Sequence, residues 1–343
     1  MNPKSIINLF SILVLLFSFS FIFPIVISIV FDDGALPIFL KTLISISLLG
    51  LTGLFLTRNI KNDLSQKDGF VIIVMFWVVL SLTGSVPFYL SGMSLIDSVF
   101  ESMSGITTTG ATVISSLDGL PESILFYRQL LQWMGGMGLI VLAIAVMPLL
   151  GIGGGQIYKT EVPGAMGEQR LTPRIKETAQ ALWLIYFGLT AVCGILYYLS
   201  GMTAFDAISH AMSTVAIGGF STHDESIGFF NSISIELICI CFMLLSAFSF
   251  ALHYFAIYKR KPLKYAFDPE FRFFISFLFI TLFIAVLIGF FVEGGKSPSI
   301  REIIFHTVSM VTTTGFSISD TSDWPFSISF LLLIGAFVGA CSG

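Results

Sequence analysis

Three short stretches carry residue types suited to handling a bare ion. They are Thr107-Thr108-Thr109-Gly110-Ala111-Thr112, Ala216-Ile217-Gly218-Gly219-Phe220-Ser221 and Thr312-Thr313-Thr314-Gly315-Phe316-Ser317. Successive carbonyls of an extended loop can replace the water around a monovalent cation. Glycine permits positive φ and close backbone approach without a Cβ clash. Threonine hydroxyls can cap such a loop or hydrogen-bond behind it. Nine residues before Gly110, Gly219 and Gly315 stand Glu101, His210 and His306, and four further back stand Asp97, Asp206 and Glu302. The glycines lie 109 and 96 residues apart, so one unit of roughly a hundred residues recurs three times.

The elements that must position these stretches follow from composition. Of 343 residues, 55% are hydrophobic and only 11% charged, with 36 Phe, and the mean hydropathy is +0.93. A soluble domain carries about 25% charged residues. The chain is therefore expected to be an all-α polytopic membrane protein. Spans are predicted at Ile6–Val30, from there through Leu56, in the first part of Phe70–Ile96, at Gln129–Tyr158, within Ala179–Leu199, at Ile233–Tyr258 and at Phe273–Val292, with a last apolar run from Pro325. Between them lie segments too short to cross at 1.5 Å per residue: Asp97–Ile106, Phe205–Thr214 and Ile300–Met310. Each reads as a half-helix dipping into the bilayer and ending at one of the three stretches. Cys193, Cys239, Cys241 and Cys341 sit in apolar runs without metal or disulfide spacing and read as core residues.

Basic residues set the orientation. If the spans alternate, thirteen of the seventeen Lys and Arg fall on one side, and only Lys41, Arg128, Lys296 and Arg301 on the other. The positive-inside rule puts the thirteen, and the N-terminus, in the cytoplasm. The three glycine stretches then open outward, beside Asp118, Glu122, Asp224, Glu225, Asp320 and Asp323. That acidic mouth would concentrate cations, although outside loops are in any case poor in basic residues. Irregular backbone at membrane depth survives only when buried in protein or lining a wet cavity. A half-helix entering from outside points the negative end of its dipole inward, which favours a cation. A lone Thr-Thr-Thr-Gly would be a helix C-cap and turn; three behind similar short helices point to a pore.

With these motifs in view, the chain resembles the membrane subunit of Trk-type bacterial potassium uptake systems, in the Trk/Ktr/HKT superfamily. The resemblance rests on residues 104–112, 128–138 (Arg-Gln-Leu-Leu-Gln-Trp-Met-Gly-Gly-Met-Gly), 213–221 and 312–317, and covers essentially the whole chain. It implies helix–pore-loop–helix repeats around one pore, preceded by two extra helices. The corresponding divisions are 1–66 for the extra helices, 67–158 for repeat 1, 159–260 for a cytoplasmic linker and repeat 2, and 261–343 for repeat 3. The implied selectivity filter is made of the carbonyls of Thr108, Thr109 and Gly110, of Ile217, Gly218 and Gly219, and of Thr313, Thr314 and Gly315. Potassium is the implied substrate rather than a cofactor, and no bound cofactor is expected. Plant relatives that prefer sodium often carry Ser at the first filter position, so Gly110 favours potassium; a sodium or sodium/potassium transporter of the same fold, or a non-conducting scaffold, is the alternative. The resemblance further implies a homodimer in the bacterial inner membrane and a cytoplasmic nucleotide-binding regulatory subunit, with the lipid bilayer as surroundings and no nucleic acid. The family pattern continues into a gating loop and a fourth repeat beyond Gly339-Ala340-Cys341-Ser342-Gly343, so the chain is expected to be a fragment that does not conduct selectively alone.

Other residues read more plainly. Arg128 near an outer helix end is expected to snorkel to headgroups. Glu101, His210 and His306 are expected to orient their short helices by hydrogen bonds. His253 reads as interfacial. Gly135, Gly136 and Gly138 beside Trp133 are expected to let a half-helix approach closely. Gly151-Ile152-Gly153-Gly154-Gly155 lacks the Lys-Ser/Thr of a phosphate loop and reads as a turn into Lys159–Arg174. That segment and Lys259–Lys264 could dock a partner. No HExxH, GxSxG or paired-Asp motif suggests an enzyme.

Overall fold

A computed structural model of the chain describes residues 3–58, 66–146, 175–291 and 298–339. Every regular element among them is helical, and four of the helices are long and apolar enough to cross a membrane. The chain divides into two compact units, Met1–Glu161 and Val162–Gly343.

In the first unit, α1 (Pro3–Ser18) runs through a 3₁₀ turn (Phe19–Phe21) into α2 (Ile22–Phe31), one apolar span of 29 residues. Asp32 ends it in the left-handed region, φ 52°. The next span, α3 (Leu36–Thr57), has Pro37 in its first turn, where a missing N–H costs nothing. Helices α1 and α3 pack through small residues: a Cβ on Gly53 would lie 2.1 Å from Ser11 Oγ. Then come α4 (Gln66–Gly84), α5 (Val86–Leu90), the short α6 (Leu95–Ile106) and α7 (Glu122–Val146). Tyr127 on α7 anchors the core. Its ring packs on Phe21, Phe39 and Phe88, all fully buried. Its hydroxyl donates to Gly84 O at 2.8 Å, so the polar tip of a buried aromatic is satisfied. The loop residue Asp33 reaches across to the start of α7, accepting N–H groups from Ser123 (2.8 Å) and Ala35 (3.0 Å) and the hydroxyl of Ser28.

The second unit contains α8 (Ile175–Leu199), the short α9 (Ala204–Val215), a 3₁₀ segment (Ser226–Phe230), α10 (Ile233–Ala247), α11 (Phe250–Ile257), α12 (Lys264–Phe267), α13 (Pro269–Phe291), the short α14 (Ile300–Val311) and α15 (Phe326–Val338). One expectation fails here. Ile233–Tyr258 is not one continuous span. Phe248 is extended, Ser249 (φ −53°, ψ 124°) is not helical either, and α10 and α11 meet at 94°. No proline or glycine marks the break. What stabilises it is His253, whose Nε2 donates to the freed carbonyl of Leu245 (2.8 Å) while Nδ1 accepts from the Tyr265 hydroxyl (2.6 Å). His253 is thus buried at 5% exposure, a bracing residue and not an interfacial one. The expected turn at 151–155, the basic segment 159–174 and the end of the chain from 340 lie outside the described residues.

Candidate functional site

The three glycine stretches each follow a helix of 12 residues, α6, α9 and α14, about 18 Å long at 1.5 Å per residue and too short to cross a bilayer. The starts of the three helices share one construction. Ser94, Thr203 and Ser299 sit in extended backbone and accept the N–H of Asp97 (3.1 Å), Asp206 (3.1 Å) and Glu302 (3.3 Å). The acids complete the cap: Ser94 and Thr203 donate to Asp97 and Asp206, and Glu302 accepts the Ser299 N–H at 2.7 Å. The acids thirteen residues before each glycine are therefore helix caps facing the positive end of the dipole. The Ser/Thr-x-x-Asp/Glu spacing could have revealed this from sequence.

The far ends of the short helices are equally alike. Thr109 N–H donates to Ser104 O (2.9 Å), Gly218 to Ser213 O (2.9 Å) and Thr314 to Ser309 O (2.8 Å). One residue earlier, Thr108, Ile217 and Thr313 donate to Gly105, Thr214 and Met310. This is a Schellman turn, whose left-handed residue is usually glycine. Here it is Thr108 (φ 54°), Ile217 (φ 53°) and Thr313 (φ 61°), all β-branched. Two residues on, Gly110, Gly219 and Gly315 have φ of 78°, 77° and 86°. A β-branched residue in this region costs on the order of 1–3 kcal/mol and persists where its surroundings over-determine it. All three are implied filter residues, but nothing in the sequence announces their left-handed conformation.

Hydroxyls hold the turns from behind. Thr107 Oγ1 meets Thr109 Oγ1 and Thr312 Oγ1 meets Thr314 Oγ1, each at 2.8 Å. Ser104 donates to Ala111 O (2.5 Å) and Ser309 to Phe316 O (2.7 Å). In the second unit the two glycine stretches also touch each other. A Cβ on Gly219 would lie 1.9 Å from Thr314 O, and Gly228 N–H donates to Ser317 O (3.1 Å). Arg301 on α14 grips Glu236 on α10, Nε to Oε2 at 2.6 Å.

Glu101 and His210, expected to orient their short helices, tie those helices to the loops that follow. Glu101 is fully buried and accepts the Thr112 hydroxyl (3.0 Å) and the Val113 N–H (3.2 Å). His210 Nδ1 donates to Asp206 O (2.9 Å), so its Nε2 accepts from Ser221 Oγ (2.9 Å). His306 repeats the first of these contacts, to Glu302 O at 2.9 Å. Arg128 departs from expectation. It is 1% exposed, and its Nε donates to Glu101 Oε1 at 2.7 Å. A buried carboxylate nearby makes an ion pair cheaper than carrying the guanidinium to the surface. Gly135 behaves as read, since its Cβ would fall 2.0 Å from Ile106 O at the end of α6.

The family model described as "TrkH: Cation transport protein" matches residues 35–343. The chain belongs to the TrkH cation transport family. It is 48% identical over its whole length to the Trk system potassium uptake protein TrkH of Halomonas elongata, and 43% identical to the TrkH protein of Escherichia coli K12, spanning 72% of each. The crystal structure of the potassium transporter TrkH from Vibrio parahaemolyticus superimposes with a TM-score of 0.86 at 44% identity, over all of this chain and 71% of that one. Membership of this family fits a membrane transporter and not an enzyme. The short helices and strained turns are accordingly features of a transport protein.

Proposed function

We propose that the chain is the ion-translocating subunit of a potassium uptake system. Its filter comprises the backbone carbonyls of Thr108, Thr109 and Gly110, of Ile217, Gly218 and Gly219, and of Thr313, Thr314 and Gly315. The observation that carries this reading is the turn repeated three times: a short helix, a β-branched residue at positive φ, then glycine at positive φ two residues later. Strain kept three times over at equivalent places points to function. Backbone carbonyls suit a dehydrated monovalent cation, and the negative helix ends behind them stabilise it. The repeats divide as 67–158, 159–260 and 261–343, behind an extra pair of helices in 1–66. The protein lies in the bacterial inner membrane with its N-terminus in the cytoplasm, by its distribution of basic residues. It works as a homodimer with a cytoplasmic nucleotide-binding regulatory subunit. The exposed basic segment Lys259–Lys264 is one docking surface for that subunit.

The test is rubidium uptake in cells lacking their own potassium importers. The chain is continued by the part of the Halomonas relative that lies outside the match, which spans 72% of that protein. Uptake competed by potassium and not by sodium is expected. Membrane-resident protein with no uptake, or with sodium competing equally, overturns the reading.

A further inference from the structure

The position nine residues before each glycine is Glu in the first repeat and His in the other two. The structure shows that this difference is more than a change of side chain. By hydrogen bonds, His210 in the second repeat links two elements, its own short helix at Asp206 and the returning loop at Ser221. In the first, Glu101 links three: the short helix α6, the returning loop, and α7 through Arg128.

The Glu101 carboxylate and the Thr112 hydroxyl each make several hydrogen bonds at this centre. Glu101 accepts from Arg128 Nε, the Thr112 hydroxyl and Val113 N–H. Thr112 Oγ1 donates to the carboxylate, and accepts from Arg128 Nη2 (3.2 Å) and from Ile114 N–H (3.1 Å). Three successive loop residues, Thr112, Val113 and Ile114, are thereby fixed two to four places beyond Gly110. Both charges are withdrawn from solvent, at 0% and 1% exposure, where charge-assisted hydrogen bonds are strong and removing one partner is costly. The pair is also neutral overall, so it can set backbone position without placing a net charge beside a cation path.

We propose that Glu101, Arg128 and Thr112 form a positioning brace that sets the backbone of the first glycine stretch, and through it the discrimination between potassium and sodium. This rests on the filter reading above. None of the three touches the ion; they act through the loop.

The test has two readouts, one independent of transport. Hydrogen exchange on the purified full chain is compared for the wild type, Thr112→Val, Thr112→Ser and Glu101→Gln. Thr112→Val removes the hydroxyl and leaves the ion pair intact. Amides of residues 109–114 are expected to exchange about tenfold faster in Thr112→Val, the factor that one hydrogen bond to a charged group is worth. Residues 217–222 should be unchanged, and Thr112→Ser should restore the wild-type rate. Unchanged exchange at 109–114, or a general acceleration across both units, overturns the brace. The second readout is the ratio of rubidium to sodium uptake per membrane-resident molecule, in the continued chain described above. A ratio that falls in Thr112→Val and Glu101→Gln and recovers in Thr112→Ser supports the role in selectivity. Both uptakes falling together, with the ratio kept, overturns that role. If the wild type takes up no ion while the exchange pattern holds, the filter reading fails and the brace stands as a positioning device of the loop.

Discussion

Gly219 and Gly315 share a proposed role and a backbone conformation, yet their surroundings differ, and replacing each by alanine should separate two costs. Both substitutions place a Cβ at positive φ, 77° and 86°, at about 1–2 kcal/mol. At Gly315 no described atom lies within 4 Å of the new methyl group, so conformational strain is the main penalty. At Gly219 the methyl group would fall 1.9 Å from Thr314 O and 2.9 Å from Thr314 C. Real Cβ contacts do not come below 3.0 Å, so the carbonyl must retreat by more than 1 Å. That oxygen is itself a proposed ion ligand on the neighbouring stretch, and a 1 Å misplacement of a working group costs about 100-fold. Gly219→Ala should therefore lower potassium-competed rubidium uptake about 100-fold per membrane-resident molecule. Gly315→Ala should lower it about tenfold or less, the factor that 1.4 kcal/mol represents. The assay is uptake normalised to surface-labelled protein. If Gly315→Ala proves as damaging as Gly219→Ala, then contact between the second and third stretches does not govern the path, and the argument fails.

Three further outcomes follow from other parts of the molecule. Ile217→Gly should be more stable in detergent than Ile217→Ala by about 1 kcal/mol, because φ is 53° there and a Cβ in that region is strained, while the preference for potassium declines in both; alanine proving the more stable would show the conformation is not strained. His253→Phe leaves Leu245 O without its donor at the bend between α10 and α11, and should cost about 1–3 kcal/mol, with Tyr265→Phe costing less, as read by thermal unfolding. Burial alone would raise the Asp33 carboxyl, but hydrogen bonds from Ser123, Ser28 and Ala35 outweigh it and hold the pKa below 3.8. The unfolded chain thus takes up its proton first, so this contribution is complete above pH 3.8 and lost as pH falls below it; Asp33→Asn should flatten the acid limb of the stability profile, and an unchanged limb would refute the assignment.

Much of this was legible in the sequence because it was written as repetition. The spacing of Gly110, Gly219 and Gly315, with polar residues nine and thirteen places earlier, located the three short helices to within two residues of their observed ends. Hydropathy located the long spans for the same reason: a bilayer imposes length and apolarity directly on the chain. What escaped was tertiary. Arg128 looked like a surface cation because its partner, Glu101, lies 27 residues away and only the packing of α6 on α7 unites them. The bend at Phe248 and Ser249 escaped because hydropathy runs on unbroken across it, and the group that satisfies the break, His253, follows it in sequence. The positive φ of Thr108, Ile217 and Thr313 contradicts local preference, so no propensity argument reaches it.

The central claim is that potassium is held by the backbone carbonyls of the glycine stretches. Anomalous diffraction from rubidium-soaked crystals of the continued chain tests it most directly. The account predicts rubidium peaks coordinated by the carbonyls of residues 108–110, 217–219 and 313–315, displaced by added potassium and kept in the presence of added sodium. Peaks confined to the acidic residues of the outer loops, or displaced by sodium as readily as by potassium, would contradict it.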